Sequence, residues 1–287
     1  MMTFERYMRH MGHSNSTIRS YLFANRIFLA DNQSPENYTY KDVVEYLNGK
    51  LRGYNNRNTL VYLLNGMKKY FDYLVATGLR DDHPCKTFQI RNLRKREVIH
   101  QDLFCSEELE KLMDREERYK DLRLRNQVLV SLLIYQGLNS SEIETLDVSH
   151  IDLDGGTVFL KGSRNLGKRH LELDKCQYGL FDCYKNQARK NLLRDDSKAF
   201  LLNKLGQRVT SDGIHYLIST YKLLFPGRAL TPSSIRQSVI ANWLNEKKLP
   251  LLQAQHLAGH KWVSTTLKYR QENMEGQREL MNRWFPI

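Results

Sequence analysis

The sequence predicts a mainly α-helical protein in two domains, with one small three-stranded antiparallel sheet in the second. Three observations carry that expectation. Residues 1–90 show only helical periodicity, residues 91–101 form a charge-dense run with no apolar period, and three short segments between residues 151 and 173 alternate as strands do. A helical bundle over 1–90, a basic linker over 91–103 and a second domain over 104–287 follow, with residues 274–287 as an apolar tail.

In the first domain, Ser16 is positioned to cap a helix whose apolar residues Ile18, Tyr21, Leu22, Phe28 and Leu29 recur at helical spacing. Thr39 and Asp42 form a T-x-x-D start for Val43, Val44, Tyr46 and Leu47, each side chain meeting the other's free backbone donor. The longest stripe, from Leu60 through Leu63, Leu64, Met67, Tyr70 and Phe71 to Leu74, predicts a helix after Asn56 that ends before Gly78. Beyond the linker, Ser106, Glu107 and Glu108 open an acidic first turn for Leu109, Leu112 and Met113. Residues 127–135 read as a buried helix stopped by Gly137. Ile151-Asp152-Leu153 and Thr157-Val158-Phe159-Leu160 alternate around Asp154-Gly155-Gly156, a hairpin pattern, and His170-Leu171-Glu172-Leu173 supplies a third strand after a basic loop. Helices return from Lys175 onwards, interrupted near residues 199–202 and at Pro226, Pro232 and Pro250.

The 287 residues are 41% hydrophobic and 26% charged, the balance of a soluble globular protein. Their net charge of +12 favours a polyanionic partner, nucleic acid ahead of a membrane surface. Residues 1–99 hold 16 Lys/Arg against 9 Asp/Glu, so +7 of that charge lies there and +5 in the remainder. Both halves are therefore basic. No apolar run reaches a membrane span and the first ten residues lack a signal-peptide core, so a cytoplasmic, nucleoid-associated protein is expected. Cys85, Cys105, Cys176 and Cys183 show no C-x-x-C spacing, which argues against a disulfide frame or a zinc site. His256 and His260 form an H-x-x-x-H pair, but Leu257 stands where a metalloprotease needs glutamate. No metal or nucleotide cofactor is expected.

The most informative segment is Ala258-Gly259-His260-Lys261-Trp262-Val263-Ser264-Thr265-Thr266-Leu267-Lys268-Tyr269, in which a tyrosine follows a Gly-His turn by nine residues. Upstream, Pro232-Ser233-Ser234-Ile235-Arg236-Gln237 opens an apolar helix. Further upstream stands Gln136-Gly137-Leu138-Asn139-Ser140-Ser141-Glu142-Ile143. A tyrosine hydroxyl is a nucleophile whose phosphate ester keeps the bond energy for resealing. A planar guanidinium clamps two phosphate oxygens and stabilises the charge that grows on them.

These segments resemble the catalytic domain of the tyrosine recombinase (phage integrase) family, in an Xer-like layout. Thr17-Ile18-Arg19-Ser20-Tyr21 and Met67-Lys68-Lys69-Tyr70-Phe71-Asp72-Tyr73-Leu74 resemble that family's N-terminal core-binding domain. The resemblance implies site-specific cutting and rejoining of duplex DNA through a 3′-phosphotyrosyl intermediate. It implies Tyr269 as nucleophile, Arg236 and His260 as donors to the phosphate, and Lys161 as the acid that protonates the leaving oxygen. Arg164, Lys168 and Arg169 in the long hairpin loop, with Lys68, Lys69 and Lys268, are implied DNA contacts. Two domains would clamp duplex DNA at a specific target site. Four copies would assemble there, alone or beside a second recombinase, and Leu280, Trp284 and Phe285 of the tail would either tie them together or pack against their own domain.

Two positions depart from the pattern. The family's first arginine, expected in G-L-R-x-S-E, is Asn139, and its second-box histidine is Ser233. Asn139 instead pairs with Glu142 as a helix cap. Loss of one preorganised donor costs about 10²–10³ in rate, so a degenerate pocket and an impaired enzyme are expected unless Arg164 or Lys168 substitutes. The alternative is a weak or inactive DNA-binding accessory protein with the same fold. A third reading is a relaxing activity like that of type IB topoisomerases.

Overall fold

The chain divides into two units, Met1–Arg96 and Glu97–Ile287. The computed structural model describes residues 2–31, 34–53, 57–91, 98, 100–115, 117 and 120–271, with backbone alone at 51, 52 and 100. Leu280, Trp284 and Phe285, and most of the expected linker, lie outside these residues.

The first unit is helical: α1 (Phe4–His10), α2 (Asn15–Asp31), α3 (Tyr40–Gly53) and α4 (Arg57–Ala76). The cap of α2 is Ser14 rather than Ser16: its Oγ accepts the Thr17 amide at 3.2 Å and sits 2.9 Å from the Thr17 hydroxyl. The Thr39–Asp42 cap forms as the spacing suggests, with Thr39 N donating to Asp42 Oδ2 at 2.7 Å. α4 lays its stripe against α2, and Gly66 permits the approach, since a Cβ there would sit 2.5 Å from that of Ala24. Phe28 anchors the core, in edge-to-face contact with Tyr38, Tyr46, Tyr70 and Phe71. α4 runs out two residues before Gly78, whose φ of 71° a side chain would resist.

The second unit opens with α5 (Ser106–Glu110), α6 (Lys120–Ile134) and α7 (Ser140–Glu144). α6 is apolar on every face over its second half, with residues 128–134 all buried, and forms the centre of the larger core. The sheet has the order β1 (Ile151–Asp152), β2 (Thr157–Leu160), β3 (Arg169–Glu172), antiparallel throughout. β3 therefore starts one residue before His170. In this register Arg169 faces Leu160 and Leu171 faces Val158, all four buried, while His170 and Glu172 are exposed.

α8 (Gln177–Cys183) and α9 (Arg189–Leu192) follow, joined by a π-turn, and then α10 (Ser211–Ser219). α11 (Pro232–Asn245) is capped by Thr231, whose Oγ1 accepts the Ser234 amide at 3.0 Å, with proline at the first helical position. α12 (Leu251–Ala258) ends in the left-handed Gly259, and α13 (Val263–Leu267) leads to Tyr269. Among the described residues no helix is long and apolar enough to cross a membrane.

Candidate active site

Four segments of the second unit converge: the turn into α7, the start of β3, the first half of α11, and the stretch from Gly259 to Tyr269. Arg236 on α11 is almost buried, with 11% of its side chain exposed. It donates through Nη1 to the carbonyl of Gly137 and through Nη2 to that of Ala258 at 2.5 Å. The Ala258 carbonyl ends α12, where free acceptors carry partial negative charge, and that of Gly137 lies in the turn between α6 and α7. Glu142 Oε2 lies 3.6 Å from Arg236 Nη1. Burial pulls the Arg236 guanidinium below its usual pKa, and the Glu142 carboxylate opposes that pull.

Glu142 is fixed by the cap it makes with Asn139. Asn139 N donates to Glu142 Oε2 at 3.0 Å, and Glu142 N donates to Asn139 Oδ1 at 2.9 Å. Its other oxygen, Oε1, accepts Arg169 Nη1 at 2.8 Å. One buried carboxylate thus serves two guanidiniums. Arg169 Nε donates to the Leu257 carbonyl at 2.9 Å, and the guanidinium lies against the backbone of Gly259.

His260 follows directly on that glycine. Its Nδ1 sits 2.9 Å from the hydroxyl of the fully buried Thr266. The imidazole stacks on the Tyr269 ring, 6.1 Å between centres and 17° between planes. Burial first, and then the charges of Arg236 and Arg169, push His260 down to about 4. Tyr269 is half-buried against the core, and its carbonyl accepts Asn245 Nδ2 at 2.9 Å. Burial raises its pKa above the ordinary tyrosine value, with Arg236 acting in the opposite sense. The loop between β2 and β3 docks on the same segment: Leu166 bridges to His260, and Gly167 N donates to the Gly259 carbonyl at 2.8 Å.

Tyr269, Arg236 and His260 therefore form one cluster. Lys161 is engaged differently: 60% exposed, its ammonium stands 3.5 Å from Asp147, which also pairs with Arg208 at 2.6 Å. Arg164, Lys168 and Lys268 are exposed, and Lys261 ties the loop down by donating to the Arg164 carbonyl at 2.8 Å. Ser233 is exposed on the first turn of α11 and brings no imidazole. In the other unit Lys68 is half-buried, and Lys69 pairs with Asp72 at 2.8 Å. Arg169 departs from expectation: it belongs to the inward face of β3, not to an exposed loop, and its side chain is 1% exposed. The signal was present in the sequence, since Arg169 is in phase with Leu171 and Leu173. The shared role of Glu142 and the seat of Thr266 left no such trace.

The His260 shift gives a pH prediction. A histidine that titrates at 6.5 unfolded and about 4 folded binds its proton more readily in the unfolded chain between those values. Its contribution is complete above pH 6.5 and lost as the pH falls towards 4. Thermal melts over that window should show the wild type losing stability faster than His260→Gln. Parallel curves would refute this.

Residues 103–276, more than half of the chain, match the model of the phage integrase family. The chain belongs to this family of tyrosine-type site-specific recombinases. The chain is similar to tyrosine recombinase XerC of Lactobacillus delbrueckii subsp. bulgaricus, 29% identical over 226 residues, which span 76% of this chain and 73% of the relative. XerC of Bacillus subtilis is 23% identical over 244 residues, 84% of this chain and 79% of that protein. Among solved structures, a lambda integrase(75-356) dimer bound to a COC′ core site superposes with a TM-score of 0.68 at 17% identity, covering 94% of this integrase and 93% of that chain. XerH bound to palindromic difH substrate, a post-cleavage complex, gives a TM-score of 0.68 at 16% identity, with 93% and 80% covered. At such identities the two structures speak for the fold alone, mainly helical with the small antiparallel sheet.

Proposed function

We propose that this integrase cuts and reseals duplex DNA at a specific site through Tyr269. The phenolic oxygen attacks the scissile phosphorus and its proton leaves to water. The bond from phosphorus to the 5′-oxygen breaks, leaving a 3′-phosphotyrosyl link and a free 5′-hydroxyl. Arg236 and His260 hold the nonbridging oxygens. With the Thr266 hydroxyl donating to Nδ1, the neutral imidazole keeps its proton on Nε2, free for the phosphate. Lys161 gives a proton to the leaving oxygen after exchanging Asp147 for the DNA. Reversal with a new 5′-hydroxyl reseals the strand without ATP.

The observation that carries this reading is the stacking of Tyr269 on His260 with Arg236 beside both. The exposed Arg164, Lys168 and Lys268 support contact with the flanking phosphates, as do Lys68 and Lys69 in the helical unit. Binding of this kind weakens steeply with salt. The reading includes a bundle over 1–90 and a catalytic domain over 104–287, self-assembly to a tetramer on the site, and action on the nucleoid for a mobile element. Ser233 specifically favours a second reading, a DNA-binding member that cleaves weakly or not at all.

A duplex selected from random sequence by the protein itself, then nicked beside the candidate scissile position, tests both. The cut strand loses its short end, so attachment is trapped. The expected result is a covalent complex whose DNA-bearing peptide contains Tyr269. Tight binding with no covalent complex would reject cleavage and support the accessory role.

A further inference from the structure

Asn139 leaves the pocket without the arginine expected at that position, yet the pocket holds two guanidiniums. The second is Arg169, which arrives from β3 and pairs with Glu142, the residue that Asn139 caps. We propose that Arg169 is the second cationic clamp on the scissile phosphate, supplying from the sheet the charge that Asn139 does not. The proposal rests on the recombination reading above.

Three observations carry it. First, burying an arginine on the inward face of a strand, between Leu160 and Leu171, is costly unless its charge is used or fully paired. Here it is not fully paired. Glu142 Oε1 at 2.8 Å takes Nη1, the Leu257 carbonyl at 2.9 Å takes Nε, and the Gly167 carbonyl at 3.4 Å touches Nη1. Nη2 is buried and has no hydrogen-bond partner among the described residues. A guanidinium held on two sides with its third donor covered but unpaired keeps one donor in reserve for an anionic oxygen that displaces what covers it.

Second, the charge around it is unbalanced. Arg169 and Arg236 share the single carboxylate of Glu142, at 2.8 and 3.6 Å. Both guanidiniums act on the neutral His260 beside them. The cluster therefore carries a net positive charge that one phosphodiester would neutralise. Third, the backbone is shaped to admit this side chain. A Cβ on Gly259 would lie 2.3 Å from Arg169 Nη1 and 2.7 Å from Cζ, so the residue before His260 must be bare for the guanidinium to reach the pocket. Arg164 and Lys168 have no such seat, being exposed on the loop.

The test compares wild type, Arg169→Met and Asn139→Arg/Arg169→Met on the nicked duplex, with either an ordinary phosphate or a neutral methylphosphonate at the scissile position. Arg169→Met should cleave the ordinary linkage about 10²–10³-fold more slowly than wild type. On the methylphosphonate, which has one fewer charged oxygen to stabilise, the two should differ by less than about tenfold, since the missing cation has less to do there. The double variant, with its guanidinium moved to the usual position, should recover at least about tenfold over Arg169→Met. A merely structural role would lower cleavage of both linkages equally, and that result overturns the proposal, as does unimpaired cleavage by Arg169→Met. Should Arg169→Met fail to fold, Arg169→Gln, which keeps an amide donor and loses the charge, gives the same comparison of linkages. A wild type that cleaves nothing overturns the recombination reading instead. In that case a shift of the Arg169 Nε–H resonance on addition of inorganic phosphate upholds the anion site, and no shift refutes it.

Discussion

Tyr269→Phe is expected to form no covalent complex with DNA while binding it as tightly as the wild type. The ring is kept, so the stack on His260 and the packing against the core are kept with it. The hydroxyl makes no hydrogen bond to another described residue, so its loss should change stability by no more than about 0.5 kcal/mol. Removal of a nucleophile from an otherwise intact site lowers turnover on the order of 10⁶-fold. The variant should therefore be silent in a denaturing-gel assay of trapped complexes and normal in a mobility shift. Because burial holds the tyrosine above its ordinary pKa, the wild type begins as a neutral phenol, and its single-turnover rate should rise with pH through the neutral range. A covalent complex that survives in Tyr269→Phe would place the nucleophile elsewhere.

Glu142→Gln should be the most destabilising near-isosteric change in the second unit. It removes the only carboxylate within salt-bridge distance of Arg169 and Arg236 among the described residues, and it turns an amide donor towards one of them. Breaking a buried pair by deleting one partner costs about 3–5 kcal/mol, which for a unit of this size lowers Tm on the order of 10 °C. Glu5→Gln is the control. Its pair with Arg9 has the same 2.8 Å distance but sits in solvent, 57% and 48% exposed, where such contacts contribute about 0–1 kcal/mol. Adding Arg169→Met to Glu142→Gln should return part of the loss, because an apolar side chain leaves one fewer charge stranded. Equal melting shifts for Glu142→Gln and Glu5→Gln would show that the two guanidiniums do not depend on this carboxylate.

Most of the architecture was legible because it is written in local periodicity. The stripe from Leu60 to Leu74 is α4, the alternation around Asp154-Gly155-Gly156 is the hairpin, and the Asn139–Glu142 spacing is the cap that forms. Errors arose where neighbouring residues offered equivalent signals. Ser14 and Ser16 both suit a cap, and only Ser14 has Thr17 three residues on. Candidate site residues could be named from the sequence, but not the bonds that hold them. Arg236 is held by carbonyls 99 and 22 residues away, and Arg169 meets Glu142 across 27 positions. Backbone carbonyls are the same at every position, so no sequence pattern marks which of them will receive a guanidinium. Arg169 was hidden for a simpler reason: a charge at the edge of a basic loop reads as surface unless the strand is allowed to begin one residue sooner.

That strand has one more consequence. Side chains on β3 change faces with every step, so sliding it by a single residue against β2 would turn Arg169 to solvent and bring His170 underneath, while the backbone ladder could still close. A copy with a mispaired hairpin would then lack one of the two cations beside His260. In a recombinase this works as a safety catch: molecules that assemble wrongly are also disarmed.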